Sequence, residues 1–203
     1  MTAQGTASRL SFRQVGESDI WTLWEWRNQP RTREVSFVDS ELPKADHEKW
    51  FAHRYPTLRD RLIMLEWDGR AVGWYQITDW DPVGRTGGWS FVLGDTNGTP
   101  GVGALLPLMG LAHGFDRMHA LALSGQVLDS NVTVKSLFAR FGIPVTSTSS
   151  PPSERENGEL VPITDYAVTD QQWPGILDTA IRSLPKSLAQ LLALSLKSPI
   201  REA

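Results

Sequence analysis

Apolar positions change their period several times along the chain, and each change predicts an element. Leu10, Phe12 and Val15 alternate with polar residues, which predicts a strand over Leu10 to Val15. Glu17-Ser18-Asp19 then offers capping oxygens, and Ile20, Leu23, Trp24 and Arg27 fall on one face, predicting a helix from Ile20 to about Asn28. Gln29-Pro30 ends it, because the residue before a proline is pushed out of the α region. Arg31 to Leu42 is polar and reads as a loop. A second helix is expected over about Lys44 to Tyr55, with His47, Trp50, Phe51 and Arg54 at helical spacing, and Pro56 should stop it. From Arg61 the reading changes to strands. Arg61 to Trp67 and Ala71 to Trp80 flank Asp68-Gly69, a strong hairpin signal. Asp81-Pro82-Val83-Gly84 makes the next turn, and Gly87 to Leu93 the next antiparallel strand.

The stretch Gly87 to Gly142 organises the rest. It reads as a strand (Gly88 to Leu93), a glycine-rich loop (Gly94 to Gly103), a helix (Ala104 to about Met118), a strand (Ala120 to Leu128) and a short helix from Asn131 to Gly142. A strand running through glycines into an apolar helix builds an anion site, since glycine lets a ligand approach and the first helical N–H groups point at negative charge. Gly98 to Ala104 can aim successive N–H groups at a phosphate or diphosphate, with Gly101 and Gly103 leaving room for it. Pro107 lies inside the expected helix and should kink it or delay its start. Beyond Gly142, Ile143 to Ser149 and Leu160 to Thr169 read as strands, with a polar, glycine- and proline-bearing stretch from Ser150 to Gly158 between them.

Pro174-Gly175 introduces a tail in which Ile181, Leu184, Leu188, Leu191 and Leu192 recur at helical spacing around Pro185. The expected organisation is one domain over residues 1–172 and a C-terminal helical tail over residues 173–203. The tail is expected to pack on its own domain, and it is also a candidate homodimer surface.

Composition narrows the function. The chain has 203 residues with a 40% hydrophobic share, enough for a real core. With a net charge of −3 and no run of Lys or Arg, nucleic acid and anionic membrane are excluded as expected partners. The absence of cysteine removes disulfides and thiolate chemistry. The histidines, His47, His53, His113 and His119, have no metal-ligand spacing, so no metal is expected. Met1 to Ser8 has no apolar run and no stretch is long enough to span a bilayer, so a cytoplasmic enzyme is expected.

The order strand, G-x-G loop, helix, strand, N-x-x-x-x-x-L-[YF]-x-x-x-G resembles the core of the GNAT family, the acetyl-CoA-dependent N-acetyltransferases. Gly98-Thr99-Pro100-Gly101-Val102-Gly103 matches the loop, and Asn131 through Leu137-Phe138 to Gly142 matches the second part. Trp24-Glu25-Trp26-Arg27-Asn28, ahead of Ser36-Phe37 and His47-Glu48-Lys49-Trp50-Phe51, is similar to the branch holding bacterial nucleotide-sugar amino-group and ribosomal-protein N-acetyltransferases. The resemblance spans roughly Leu10 to Val168. It implies an α/β fold with a mixed, mostly antiparallel sheet of six or seven strands and helices on both faces. It implies acetyl-CoA, or another short acyl-CoA, as co-substrate and a small-molecule primary amine as acceptor, joined by direct attack on the thioester. Phe91, Val92 and Leu93 would splay from the neighbouring strand to pair with the pantetheine arm. Gly98, Thr99, Gly101, Val102, Gly103 and Ala104 would hold the diphosphate, with Asn131 and Phe138 beside the arm. Gly98 stands where many members have Arg or Gln, and Phe138 where many have the tyrosine that protonates the leaving thiolate.

On the acceptor side, an amine attacks only when neutral, so a base or water relay must take its proton. Glu25, His47 and Ser90 are the candidates. Each also has a plainer reading, as helix-surface residues for Glu25 and His47 and as a strand residue for Ser90. Trp26, Arg27 and Asn28 match the branch's W-R-N and are candidate substrate-binding residues. Arg27 could hold a nucleotide-sugar phosphate bidentately or sit in a buried salt bridge. The expected acceptor is an amino sugar, free or nucleotide-linked. The alternatives are a protein N-terminal amine, or a catalytically idle acyl-CoA-binding module on the same fold.

Overall fold

The computed structural model describes residues 10–97, 101–148, 152–155 and 158–202. The elements follow in the order β1 (Leu10–Gln14), α1 (Ile20–Asn28), α2 (Pro30–Glu34), α3 (Lys44–Leu58), β2 (Leu62–Trp67), β3 (Arg70–Asp81) and β4 (Thr86–Leu93). Then come α4 (Leu106–Ala112), β5 (Ala122–Leu128), α5 (Val132–Phe141), β6 (Val145–Ser147), β7 (Ser153–Glu154), β8 (Leu160–Val161), β9 (Ile163–Thr169), α6 (Trp173–Ser183), α7 (Lys186–Ser195) and β10 (Ile200–Arg201). One sheet of eight strands runs in the order β10-β1-β2-β3-β4-β5-β9-β6, and β7 pairs with β8 in a separate ladder. Its neighbours are antiparallel except β1–β10 and β4–β5. This is the expected mixed, mostly antiparallel sheet, one strand wider than the six or seven read from the pattern. The extra strand is β10, whose two residues are too few to leave an alternation in the sequence.

Helices cover both faces because the strands sort their side chains with period two. In β2, Leu62 and Met64 join a core with Leu23, Trp26, Phe51 and Leu58 from α1 and α3, while Ile63 and Leu65 face the larger core under α4. A bulge opposite Leu65/Glu66 re-phases β3, so that Val72 and Tyr75, three residues apart, both enter the larger core. The tail belongs to that same core: Ile176, Ala180, Leu184 and Leu192 are buried in it. Arg201 pairs with Glu66, which also accepts from Ser11 and Arg13, and so ties β10 to β1 and β2.

Three proline boundaries differ from the pattern reading, each for an identifiable reason. Pro30 opens α2 rather than only ending α1, because its missing N–H is harmless at a first helical position. Pro56 does not stop α3, which continues to Leu58; burial of Leu58 at 4% exposure holds the final turn. Pro162 splits the expected strand Leu160 to Thr169 into β8 and β9. Pro107 acts as a delay: it sits in the first turn of α4, behind a 3-10 turn at Val102–Ala104, and a π-helical turn at His113–Arg117 closes the run.

That π turn buries His113 against Tyr75, with Nδ1 3.3 Å from the phenolic oxygen. Burial, reinforced by Arg117, holds the His113 pKa down to about 4. Between pH 4 and 6.5 the unfolded chain therefore binds a proton that the folded chain refuses, so stability rises with pH through that window and levels off above it. The full contribution is on the order of 3 kcal/mol. His47, also held down by burial, adds a slope of the same sign. Urea midpoints at pH 4.5 and 7.5 should differ for the parent chain, and His113→Phe should remove most of that difference; an unchanged difference would locate the slope elsewhere.

Candidate active site

β4 and β5 pair only from Thr86↔Ala122 to Gly88↔Ser124. Beyond Gly88 the two strands diverge. β4 stays paired with β3 as far as Leu93, so its other edge opens onto a slot inside the sheet. The parallel pair is joined through α4, which packs on β3 and β4 with every residue from Leu106 to Ala112 buried. The slot belongs to a cavity of about 930 Å³ that reaches both faces of the sheet, from Ala104 and Val134 on one side to Thr32 and Ser90 on the other. Phe91, Val92 and Leu93 all line it.

At its outer end stands the glycine loop. Gly101 has φ of 79°, a left-handed conformation that favours glycine, and caps the 3-10 turn leading to α4. It is exposed to the cavity, backed by Leu188 of α7, which lies 2.6 Å from where a Cβ would stand. Gly103 and Ala104 also line the cavity, and Val102 points inward as a buried core residue. Gly98 and Thr99 lie outside the described residues.

α5 forms the wall of the slot. Asn131 caps it, its side-chain oxygen accepting from Val134 N at 3.2 Å, and its side chain borders the cavity. Phe138 is 1% exposed and touches three other rings: Trp89 stacked at 5.6 Å, Phe91 tilted at 6.2 Å and Tyr166 edge-on at 4.9 Å. Phe138 has no proton to transfer. Tyr166 does, but burial raises its pKa.

Of the acceptor-side candidates, the cavity holds only Ser90, whose Oγ accepts from Gln76 Nε2 at 2.9 Å. Glu25 is exposed and does not line the cavity. His47 is 3% exposed and serves as a pin: Nε2 donates to Ile20 O at 2.8 Å and the ring stacks on Trp50. Trp26, Arg27 and Asn28 also build structure outside the cavity. Trp26 lies flat on Gly94, where a Cβ would overlap the indole at 1.8 Å. Arg27 donates to Val38 O, and the Asn28 amide clasps both backbone groups of Leu42 at 2.8 and 3.1 Å. Arg27 and Asn28 together fix the segment after α2.

The sequence pattern gives no sign of what α2 and the segment after it bring. Arg31, Val35 and Ser36 line the cavity, and Arg31 donates to the carbonyls of Leu93 and Gly94 at the end of β4. Arg155, on the β7–β8 hairpin, pins the same segment through Glu34 O at 3.0 Å and Asp39 at 3.7 Å. Gly125 was missed too, although a lone glycine inside a strand pattern signals a close approach. Among the described residues no group of His, Asp and Glu suited to a metal is brought together, and no helix is long and apolar enough to cross a membrane.

No protein-family model matches the sequence, and no curated protein matches it. Solved structures do. The spermidine N-acetyltransferase of Vibrio cholerae, in complex with CoA and spermine, superimposes with a TM-score of 0.73 at 12% identity, covering 83% of this chain and 99% of that one. This chain has the GNAT fold. YncA of Salmonella typhimurium, with its cofactor acetyl-CoA, gives 0.61 at 17% identity over 79% of this chain and 94% of that one. An N-acetyltransferase of Staphylococcus aureus Mu50 gives 0.62 at 13% identity, over 80% and 99%. The likeness is one of architecture, and the chemistry of this GNAT-fold chain rests on its own cavity.

Gly101 offers the first test. Replacing it by Ala puts an L side chain at a positive φ and a Cβ against Leu188. The substitution should cost about 1–2 kcal/mol of stability and weaken coenzyme A about tenfold or more by calorimetry. Unchanged affinity in a destabilised variant would detach the loop from ligand binding.

Proposed function

We propose that this chain transfers a short acyl group from acyl-CoA to the primary amine of a small molecule by direct attack on the thioester. The observation that carries the reading is the slot: an unpaired strand edge inside a sheet, starting at a glycine loop and open to both faces. An arm with amide groups can add to such an edge as a strand would. The residues present fit coenzyme A. Gly101 and Gly103 offer main-chain N–H groups for a diphosphate, with Ala104 beside them in the lining, Phe91 to Leu93 offer the edge, and Asn131 and Val134 flank the arm. When bound, the thioester supplies an activated acyl group. Everything else falls to the chain: excluding water, orienting the amine, and disposing of its proton.

Ser90 faces the acceptor side, and its Oγ already accepts a hydrogen bond from Gln76. That leaves its hydroxyl proton to donate into the cavity, so it orients a ligand better than it takes a proton. A water held by Ser90 is the remaining relay. With Phe138 in the wall, the leaving thiolate departs without a phenolic acid at that position; Ser136 of α5, which lines the cavity, or a water could substitute, and a thiolate is a tolerable leaving group, so the loss lowers rate without forbidding reaction.

For the acceptor, the charge of the lining is the guide. The described lining includes Arg31 and Arg140 and no Asp or Glu. A polyamine such as the spermine bound by the Vibrio cholerae enzyme would need carboxylates there. Hydroxyls and arginines suit an amino sugar, free or nucleotide-linked, and that is the acceptor class we favour. Phe138 also supports a second reading, a binding module that holds acyl-CoA without turning it over.

Coenzyme A and acetyl-CoA should both raise the thermal midpoint of the chain. Thiol release from acetyl-CoA should follow addition of amino sugars, at rates at least about tenfold above those with spermidine. Stabilisation by coenzyme A with no thiol release from any amine would select the binding module, and faster turnover with spermidine would reverse the acceptor assignment.

A further inference from the structure

One side chain closes the inner end of the slot. Trp89 follows directly on Gly88, the last residue of β4 that pairs with β5. It shares the α4–α5 face with Phe91 and Leu93, whereas Val92 packs into the core on the opposite face. The indole lies across the sheet. Its six-membered ring rests on Gly125 of β5, where a Cβ would come to 2.8 Å from Cζ3 and 3.0 Å from Cε3. Its other edge abuts Gly110 of α4, where a Cβ would stand 3.2 Å from Cδ1. One ring face stacks on Phe138, with centroids 5.6 Å apart and planes 22° from parallel. The side chain is only 5% exposed although it borders the cavity. Its Nε1–H has no hydrogen-bond partner among the described residues, so shape alone seats the ring.

We infer that Trp89, seated on Gly125, sets the length of the acyl group and restricts the donor to acetyl-sized chains. The inference rests on the acyl-CoA reading of the slot. Leu93 meets Gly103 at the loop end, and the four strand residues from there to Trp89 span about 13 Å. A donor anchored at the loop and running along the open edge brings its thioester to residues 89–90. An acyl chain that continues along the slot then meets the face of the indole. That ring is wedged between two glycines and a phenyl group and has nowhere to turn, so added methylenes overpack the site. Gly125 is the second determinant: a side chain there would push the indole back into the slot and deny room even to acetyl.

Calorimetric affinities for coenzyme A, acetyl-CoA and hexanoyl-CoA test this without any acceptor. The parent chain should bind coenzyme A and acetyl-CoA within about threefold of each other, and hexanoyl-CoA at least about tenfold more weakly. Trp89→Ala opens an apolar cavity at the end of the slot, and should bind hexanoyl-CoA at least as well as acetyl-CoA while keeping its affinity for coenzyme A. Trp89→Phe, a milder change should the alanine variant fail to fold, should fall between the two. Gly125→Ala should weaken acetyl-CoA relative to coenzyme A. Equal affinity of the parent chain for hexanoyl-CoA and acetyl-CoA would overturn the inference, as would a Trp89 variant that binds coenzyme A with the parent's chain-length preference. Failure of the parent chain to bind coenzyme A at all would instead remove the acyl-CoA reading, and this inference with it.

Discussion

The parallel pairing of β4 with β5 stops after three residue pairs, and the rest of the molecule accommodates that interruption. A backbone edge inside a sheet is costly when dry, since each unpaired buried N–H or C=O forfeits about 1–3 kcal/mol. The chain meets the cost by keeping the edge open to a cavity rather than buried. α4 crosses over one face and holds the parallel strands in one sheet, while α5 and its aromatic rings wall the far side. On the near face α2 is fixed in place by α1, by Arg31 and by the β7–β8 hairpin. The tail is part of the same arrangement, because α7 places Leu188 directly behind Gly101.

Most of the scaffold was legible in the sequence. The Asp68-Gly69 turn joins β2 to β3 where expected, with φ of 51° and 77°, and Gly142 ends α5 at φ of 74°. α1 spans the residues read from its apolar face, and Asn131 caps α5 as its amide chemistry suggests. These features are local: a cap, a turn or a period is settled by residues within a few positions of one another.

The features that failed to show are those settled at a distance. Pro56 reads as a stop, yet burial of Leu58 against α1 and β2 carries α3 past it. Trp26-Arg27-Asn28 reads as a substrate motif, yet in the folded chain their contacts go to Gly94, Val38 and Leu42. They position the segment that borders the cavity rather than lining the cavity themselves. His47 is similar, spaced as a surface residue and spent on the carbonyl of Ile20. The partnership of Trp89 with Gly125 joins positions 36 apart in sequence on two strands that do not pair there, and no local pattern encodes it.

In the proposed function the open edge of β4 is the binding surface. Residue-resolved amide hydrogen exchange, with and without coenzyme A, tests it most directly. Coenzyme A should slow exchange at the amides of Trp89 to Leu93 that turn away from β3, and at Gly101 and Gly103, by about tenfold or more. Amides of β3 that are already paired should not change. Exchange along β4 that is the same in both states, with protection appearing on another surface, would contradict it.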